Sequence, residues 1–181
     1  HSMGGFIAQL ASIQRPDWVM SFTSISSHTA SPRVPSPPRR TWEVMLANHP
    51  VGELLPDLPG YMGVWRYLNG DVPFDEEAAA EYTRELHSRN PKTLPATNHV
   101  AIQQGMEDRT PALANTGVPG LAIHGDCDLL VPVEGGLITA DALPVSRLAV
   151  LPGAGHMLFN RGAWTKMLDE LAENLACAPT A

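Results

Sequence analysis

Apolar positions along this chain fall into two regular blocks separated by an irregular one. In the first block, residues 3–14 (MGGFIAQLASIQ) set Phe6, Ile7, Leu10 and Ala11 at the spacing of one helix face, and Arg15-Pro16-Asp17 stops the run. Trp18–Ile25 (WVMSFTSI) is apolar and β-prone, which predicts a strand buried on both faces, as in a parallel sheet. The last block resumes this order. Gly120–His124 (GLAIH) reads as a strand, Glu134–Leu143 as a helix stopped by Pro144, and Arg147–Leu151 as a strand. Trp164–Leu175 closes it as an amphipathic helix with Trp164, Leu168, Leu171 and Leu175 on one face. Strands alternating with helices predict a parallel α/β sheet.

The middle block, residues 28–117, lacks this regularity. His28–Arg40 contains SPRVPSPPRR, too rich in proline for regular structure. Short helical pieces follow at Thr41–Ala47 and Asp75–Ser88, the second opening on Asp75, Glu76 and Glu77, where the helix dipole favours acids. About ninety residues between two core strands exceed an ordinary connection. The expected organisation is therefore a core over 1–27, an inserted cap over 28–117 and a returning core over 118–181.

Composition narrows the function. With 181 residues, 44% hydrophobic and 17% charged, the chain has the material of one soluble domain. A net charge of -7 leaves no basic patch to argue for nucleic acid. No apolar run nears the roughly 18 residues of a membrane span. Cys127 and Cys177 make no disulfide framework, which fits a reducing compartment such as the cytoplasm. His28, His49, His87 and His99 lack metal-ligand spacing with Asp, Glu or Cys, so neither a metal nor another cofactor is expected.

Three segments carry candidate chemistry. His1-Ser2-Met3-Gly4-Gly5 heads the first helix, where Ser2 would be an exposed nucleophile and the Met3 N–H an oxyanion donor. Such a serine needs a base to take its proton. Ile123–Asp128 (IHGDCD) follows a strand, where ligands of open α/β sheets bind. Asp128 is the favoured acid and Asp126 its local competitor. Pro152–His156 (PGAGH) follows the last strand and offers His156 as the base. The order Ser, Asp, His, each just past a strand, is the order of α/β-hydrolase triads. His124 reads as a structural hydrogen-bonding residue, Cys127 as a small packed one, and His1 as a residue whose backbone matters more than its ring.

On these motifs the chain resembles the α/β-hydrolase superfamily. HSMGG resembles the nucleophile elbow, IHGDCDLLVP the acid loop and PGAGH the histidine loop, which implies Ser2, Asp128 and His156 as the triad. SFTSISS, MEDRTPAL and VEGGLITADAL resemble a bacterial branch that includes anthracycline methylesterases. The resemblance implies an α/β-hydrolase fold entered at the elbow, with the first five strands and the second oxyanion donor lying outside this chain. Losing one such donor typically costs about 10²–10³ in turnover. An uncovered apolar strand edge invites aggregation. The 181 residues alone are thus expected to be poorly soluble and inactive.

The implied activity is hydrolysis of a small or medium apolar carboxylic ester through an acyl-enzyme. C–C bond hydrolysis, lactonase or cofactor-free haloperoxidase chemistry on the same triad, or a non-catalytic ligand-binding role, are the alternatives. Trp42, Tyr61, Trp65, Met157 and Phe159 are candidate substrate contacts. For the cap aromatics among them, the competing reading is a small core of the cap itself.

Overall fold

A computed structural model describes residues 1–47, 58–89, 102 and 105–176. The elements run α1 (Met3–Gln14), β1 (Phe22–Ile25), α2 (Arg39–Ala47), α3 (Leu58–Tyr67), α4 (Glu76–Arg89), α5 (Thr110–Leu113), β2 (Gly120–Gly125), α6 (Glu134–Ala142), β3 (Ser146–Leu151) and α7 (Trp164–Ala176). A short 3-10 turn, Arg161–Ala163, leads into α7.

The described strands form one open parallel sheet in the order β1-β2-β3. Phe22 pairs with Gly120 and Ile25 with Ile123, while Gly120 pairs with Ser146 and Gly125 with Leu151. All six residues of the central strand β2 are buried. Alternation along β2 serves two helix layers. Leu121 and Ile123 join Ala149, Leu151 and Met167 of α7 in one core. On the other face, Phe22 packs with Leu113, Ala142 and Leu143, backed by Ala8 and Ile13 of α1. His124 shares that second face, where a Cβ on Gly136 of α6 would come within 2.7 Å of its Nδ1.

Three expectations need correction. The first strand begins at Phe22; Trp18 is 71% and Met20 57% exposed, so WVMS runs over the surface. In α1 the buried face is Gly5, Phe6, Gln9 and Ser12, with Ile7 and Leu10 outside. A Cβ on Gly5 would lie 2.6 Å from Ser27 Cβ, so the glycine side of the helix faces the strand ends. Gln9 remains inside because its amide donates to Ser24 Oγ and its carbonyl accepts from Arg109. Likewise α7 buries Met167 and Asn174. Trp164, Leu168 and Leu175 of the expected stripe are exposed, and Leu171 alone packs on the core. In both helices the contact stripe is set by close fit to the sheet and lies rotated from the most apolar stripe.

Helix α3 was not foreseen. Pro59, Gly60 and Gly63 lower its propensity, and burial of Tyr61 and Val64 offsets this. Helix α4 starts where expected, with Asp75 Oδ1 accepting from Ala78 N–H at 2.9 Å. No described helix is long and apolar enough to cross a membrane.

Candidate active site

The acid and histidine loops leave the carboxyl ends of β2 and β3 and interlock through glycines. A Cβ on Gly125 would sit 2.1 Å from Ala154 O, and one on Gly155 2.2 Å from Leu68 O. Only glycine lets these backbones meet. Cys127 N–H then donates to Ala154 O at 3.0 Å, and His156 N–H to Leu68 O at 2.8 Å. Asp126 serves this junction: its Oδ1 accepts from Gly153 N–H at 2.6 Å.

It is Asp128 that meets the histidine. His156 Nδ1–H donates to Asp128 Oδ2 at 2.8 Å, with both residues buried. Asp128 Oδ1 accepts from the N–H groups of Leu130 and Val131, each at 2.8 Å. His124 Nε2–H donates to Val131 O at 2.8 Å and lies 3.5 Å from Asp128 Oδ2. Burial works to raise the Asp128 pKa. Hydrogen bonds from His124 and His156, the charge on His156 and the Val131 N–H outweigh it and hold the carboxyl well below the usual range. A carboxylate fixed in this way orients the imidazole and leaves Nε2 for proton transfer.

Ser2 stands at the head of α1 with φ 51° and ψ -120°. Its N–H donates to Ile25 O at 2.8 Å, which ties the turn to the end of β1. Ser2, Ser26 and Ala30 are the non-glycine residues with positive φ among those described, and all three lie at this end of the sheet. Strain of this kind persists where the surroundings over-determine it. Gly4 and Gly5 N–H close on His1 O and Ser2 O, whereas no described acceptor takes the Met3 N–H. Ser2 Oγ has no hydrogen bond to His156; unliganded catalytic contacts are commonly long.

The turn at Ser2 is tied to His156 by a residue that sequence reasoning undervalued. His1 Nε2–H donates to His156 O at 2.7 Å, and the two rings lie 4.8 Å apart. Nothing in the spacing of these residues announces the contact.

A cavity of about 250 Å³ opens beside Ser2, lined by His28, Val34, Trp42, Met106 and Leu130 among others. Trp42 is therefore next to the candidate nucleophile. Tyr61, Trp65 and Phe159 lie elsewhere, in an aromatic cluster with Phe74 and Tyr82 that packs α3 and α4 onto the histidine loop. Met157 packs between that cluster and Val44, Val64 and Leu68. A separate cavity of about 420 Å³ lies against Tyr82, Phe159 and Trp164. The Cys127 thiol donates to Asp71 at 3.4 Å. Its pKa is raised by burial and by Asp71, which opposes thiolate formation.

Solved structures identify the class. The fold is similar to an α/β fold family hydrolase from Bacillus anthracis str. Sterne, with a TM-score of 0.69 and 15% identity over 96% of this chain and 65% of that one. It is also similar to 2-hydroxy-6-oxo-6-phenylhexa-2,4-dienoate hydrolase from Rhodococcus sp. strain RHA1, with a TM-score of 0.67 and 18% identity over 98% and 62% of the two chains. The protein thus has the α/β-hydrolase fold. More particularly, the family model described as serine aminopeptidase, S33, matches residues 1–161, and the chain belongs to this family.

Among curated proteins, the chain is 28% identical to rhodomycin D methylesterase DauP of Streptomyces sp. (strain C5), over 87% of its own length. It is equally 28% identical to monoacylglycerol lipase of Mycolicibacterium smegmatis (strain ATCC 700084 / mc(2)155), over 94% of its length. The matches span 59% and 58% of those two relatives.

Proposed function

We propose that this protein is a serine hydrolase of carboxylic esters that works through an acyl-enzyme. The observation that carries the reading is a strained serine at a helix head, beside a cavity, whose turn is hydrogen-bonded to the backbone of a buried His–Asp pair. Ser2 Oγ attacks the ester carbonyl as His156 Nε2 takes its proton. Asp128 steadies the imidazolium, and the Met3 N–H donates to the oxyanion. His156 returns the proton to the departing alcohol. Water, deprotonated by His156, then releases the acid and frees Ser2. Similarity to a methylesterase and a monoacylglycerol lipase favours esters over the other chemistries of the fold.

The segments 1–27 and 118–181 serve as the hydrolase core in this reading, with 28–117 as its cap. The cavity beside Ser2 mixes apolar walls such as Trp42, Met106 and Leu130 with polar ones such as His28 and Ser31, which suits an ester carrying both kinds of surface. The test is a fluorophosphonate probe on the full-length natural protein, with the adduct located by peptide mass and Ser2→Ala as control. An adduct on Ser2 that vanishes in the variant, followed by ester turnover, is expected. Folded protein that takes no adduct and turns over no ester overturns the proposal.

A further inference from the structure

His28 stands in the Ser2 cavity without a part in the mechanism above. Its Nδ1 accepts from Ala30 N–H at 2.9 Å, in a tight turn that puts Ala30 at φ 63°. An amide N–H can only donate, so the proton of the neutral ring sits on Nε2. Among the described residues no protein group bonds that Nε2, and it is not one of the buried polar atoms left without a partner.

The ring is held from several sides. Phe6 meets it edge-on with centroids 4.8 Å apart. Arg109 Nη2 donates to the His28 carbonyl at 3.0 Å, while its Nε donates to Gln9 Oε1. The backbone of α6 approaches so closely that a Cβ on Gly135 would fall 2.8 Å from His28 Cβ. Burial, then the charge of Arg109, then His124, depress the His28 pKa to about 4. At neutral pH this is an uncharged donor, locked in one tautomer, in a cavity of mixed polar and apolar lining. Facing the cavity, this donor is available to an acceptor on a ligand.

Resting on the esterase reading, we propose that His28 is a specificity-determining residue whose Nε2–H binds an uncharged oxygen of the substrate, such as a ketone, ether or hydroxyl oxygen. That oxygen belongs to the part of the substrate lodged beside Trp42 and Met106. The substrate class is thus an ester that carries one neutral oxygen in the group entering this cavity.

The experiment uses matched 4-nitrophenyl pentanoate and 4-oxopentanoate, and the acetate esters of pentanol and 4-oxopentanol to cover the alcohol side. Rates are divided by those of hydroxide hydrolysis. The expected result is an approximately tenfold preference in kcat/KM for the oxo member of one pair, the usual scale of one neutral hydrogen bond. His28→Phe brings the ratio of oxo to plain ester turnover to about one, whatever the absolute rates, and His28→Gln, which keeps a donor, restores part of the ratio. A role confined to holding the loop would lower both members alike. No preference in the native protein, or one unchanged in His28→Phe, overturns the inference.

A binding arm separates this outcome from failure of the esterase reading. In folded Ser2→Ala protein, the His28 Nε2–H resonance should shift with the preferred oxo ester and not with its plain partner. That shift without any turnover in the native protein would remove the esterase reading and keep only the Nε2–H contact to a neutral oxygen. Turnover without discrimination, or no shift with either oxo ester, would remove the inference.

Discussion

The two sides of the candidate site are built differently. On the acid and base side, Asp128 and His156 are buried, and both carboxylate oxygens of Asp128 are engaged. Their loops are clamped by backbone contacts that admit no side chain at Gly125 or Gly155. On the nucleophile side, Ser2 is half-buried at a strained turn, and among the described residues neither Met3 N–H nor His28 Nε2 has a protein partner. The first side is complete before substrate arrives. The second presents open donors, as a surface that must receive a ligand should. Preorganisation of a charge-bearing pair and readiness to bind are thus assigned to separate segments of one sheet end.

The sharpest way to break this comparison is Asp128→Asn. Kept in place, the amide would still accept from Leu130 and Val131 N–H, but would favour the wrong tautomer of His156. Turnover should fall by about 10³–10⁴, with fluorophosphonate labelling of Ser2 slowed in parallel. An effect below tenfold would mean that the buried pair is structural and that the chemistry sits elsewhere.

Next in size is Gly125→Ala. Its methyl would overlap the backbone of Ala154, so the two loops must part, at about 3 kcal/mol or more. Gly4→Ala is the matched control on the nucleophile side. Nothing lies within 4 Å of its added Cβ, and helix propensity predicts a gain of up to about 1 kcal/mol. Urea midpoints for the pair should move in opposite directions; equal losses would contradict the difference in loop packing.

Some of this was legible in the sequence. The strand–helix alternation of the last block and the helix at 3–14 follow from periodicity, because there local pattern and tertiary burial agree. The loops of Asp128 and His156 stood out because glycines flank residues of the right chemistry just past strands. Helix faces were less legible. Gln9, Ser12 and Asn174 are buried through hydrogen bonds or close fit that a hydrophobic pattern does not encode. Least legible were His1 and His28, whose partners are backbone groups. The contact of His1 spans 155 positions. The one hint for His28 lay in MEDRTPAL, whose Arg109 turns out to grip both Gln9 and the His28 carbonyl.

The halves also differ in their response to acid. The folded pKa of His28 lies below its unfolded value of 6.5, at about 4. Its contribution is therefore full above pH 6.5 and declines as pH falls towards 4, because the unfolded chain takes up a proton that the folded one refuses. At about 1.36 kcal/mol per unit, reduced somewhat for partial exposure, the loss is about 2–3 kcal/mol. Burial is the main cause, and Arg109 and His124 are the charged and titratable neighbours that add to it. The Asp128 carboxyl is shifted the same way but from a lower start, so its contribution holds down to about pH 4 and is lost below. Thermal melts of His28→Gln should lose the slope between pH 6.5 and 4 and retain the one below it. A variant that kept both slopes would place the first on another group.

The smallest effect tests the link between the halves. His1 Nε2–H holds the His156 carbonyl, so in the proposed mechanism it sets how near His156 stands to Ser2 without touching the reacting atoms. Removing one such hydrogen bond costs about 0.5–1.5 kcal/mol. His1→Ala should therefore lower kcat about five- to tenfold, with KM and the melting temperature almost unchanged, because the bond is near the surface and the Asp128–His156 pair does not depend on it. His1→Gln offers an amide N–H at similar reach and should recover part of the loss. The split matters more than its size. A fall in stability without a fall in kcat would make His1 a fastener of the loop alone, whereas a fall in kcat rescued by Gln would show that the open half reaches the closed one through this contact.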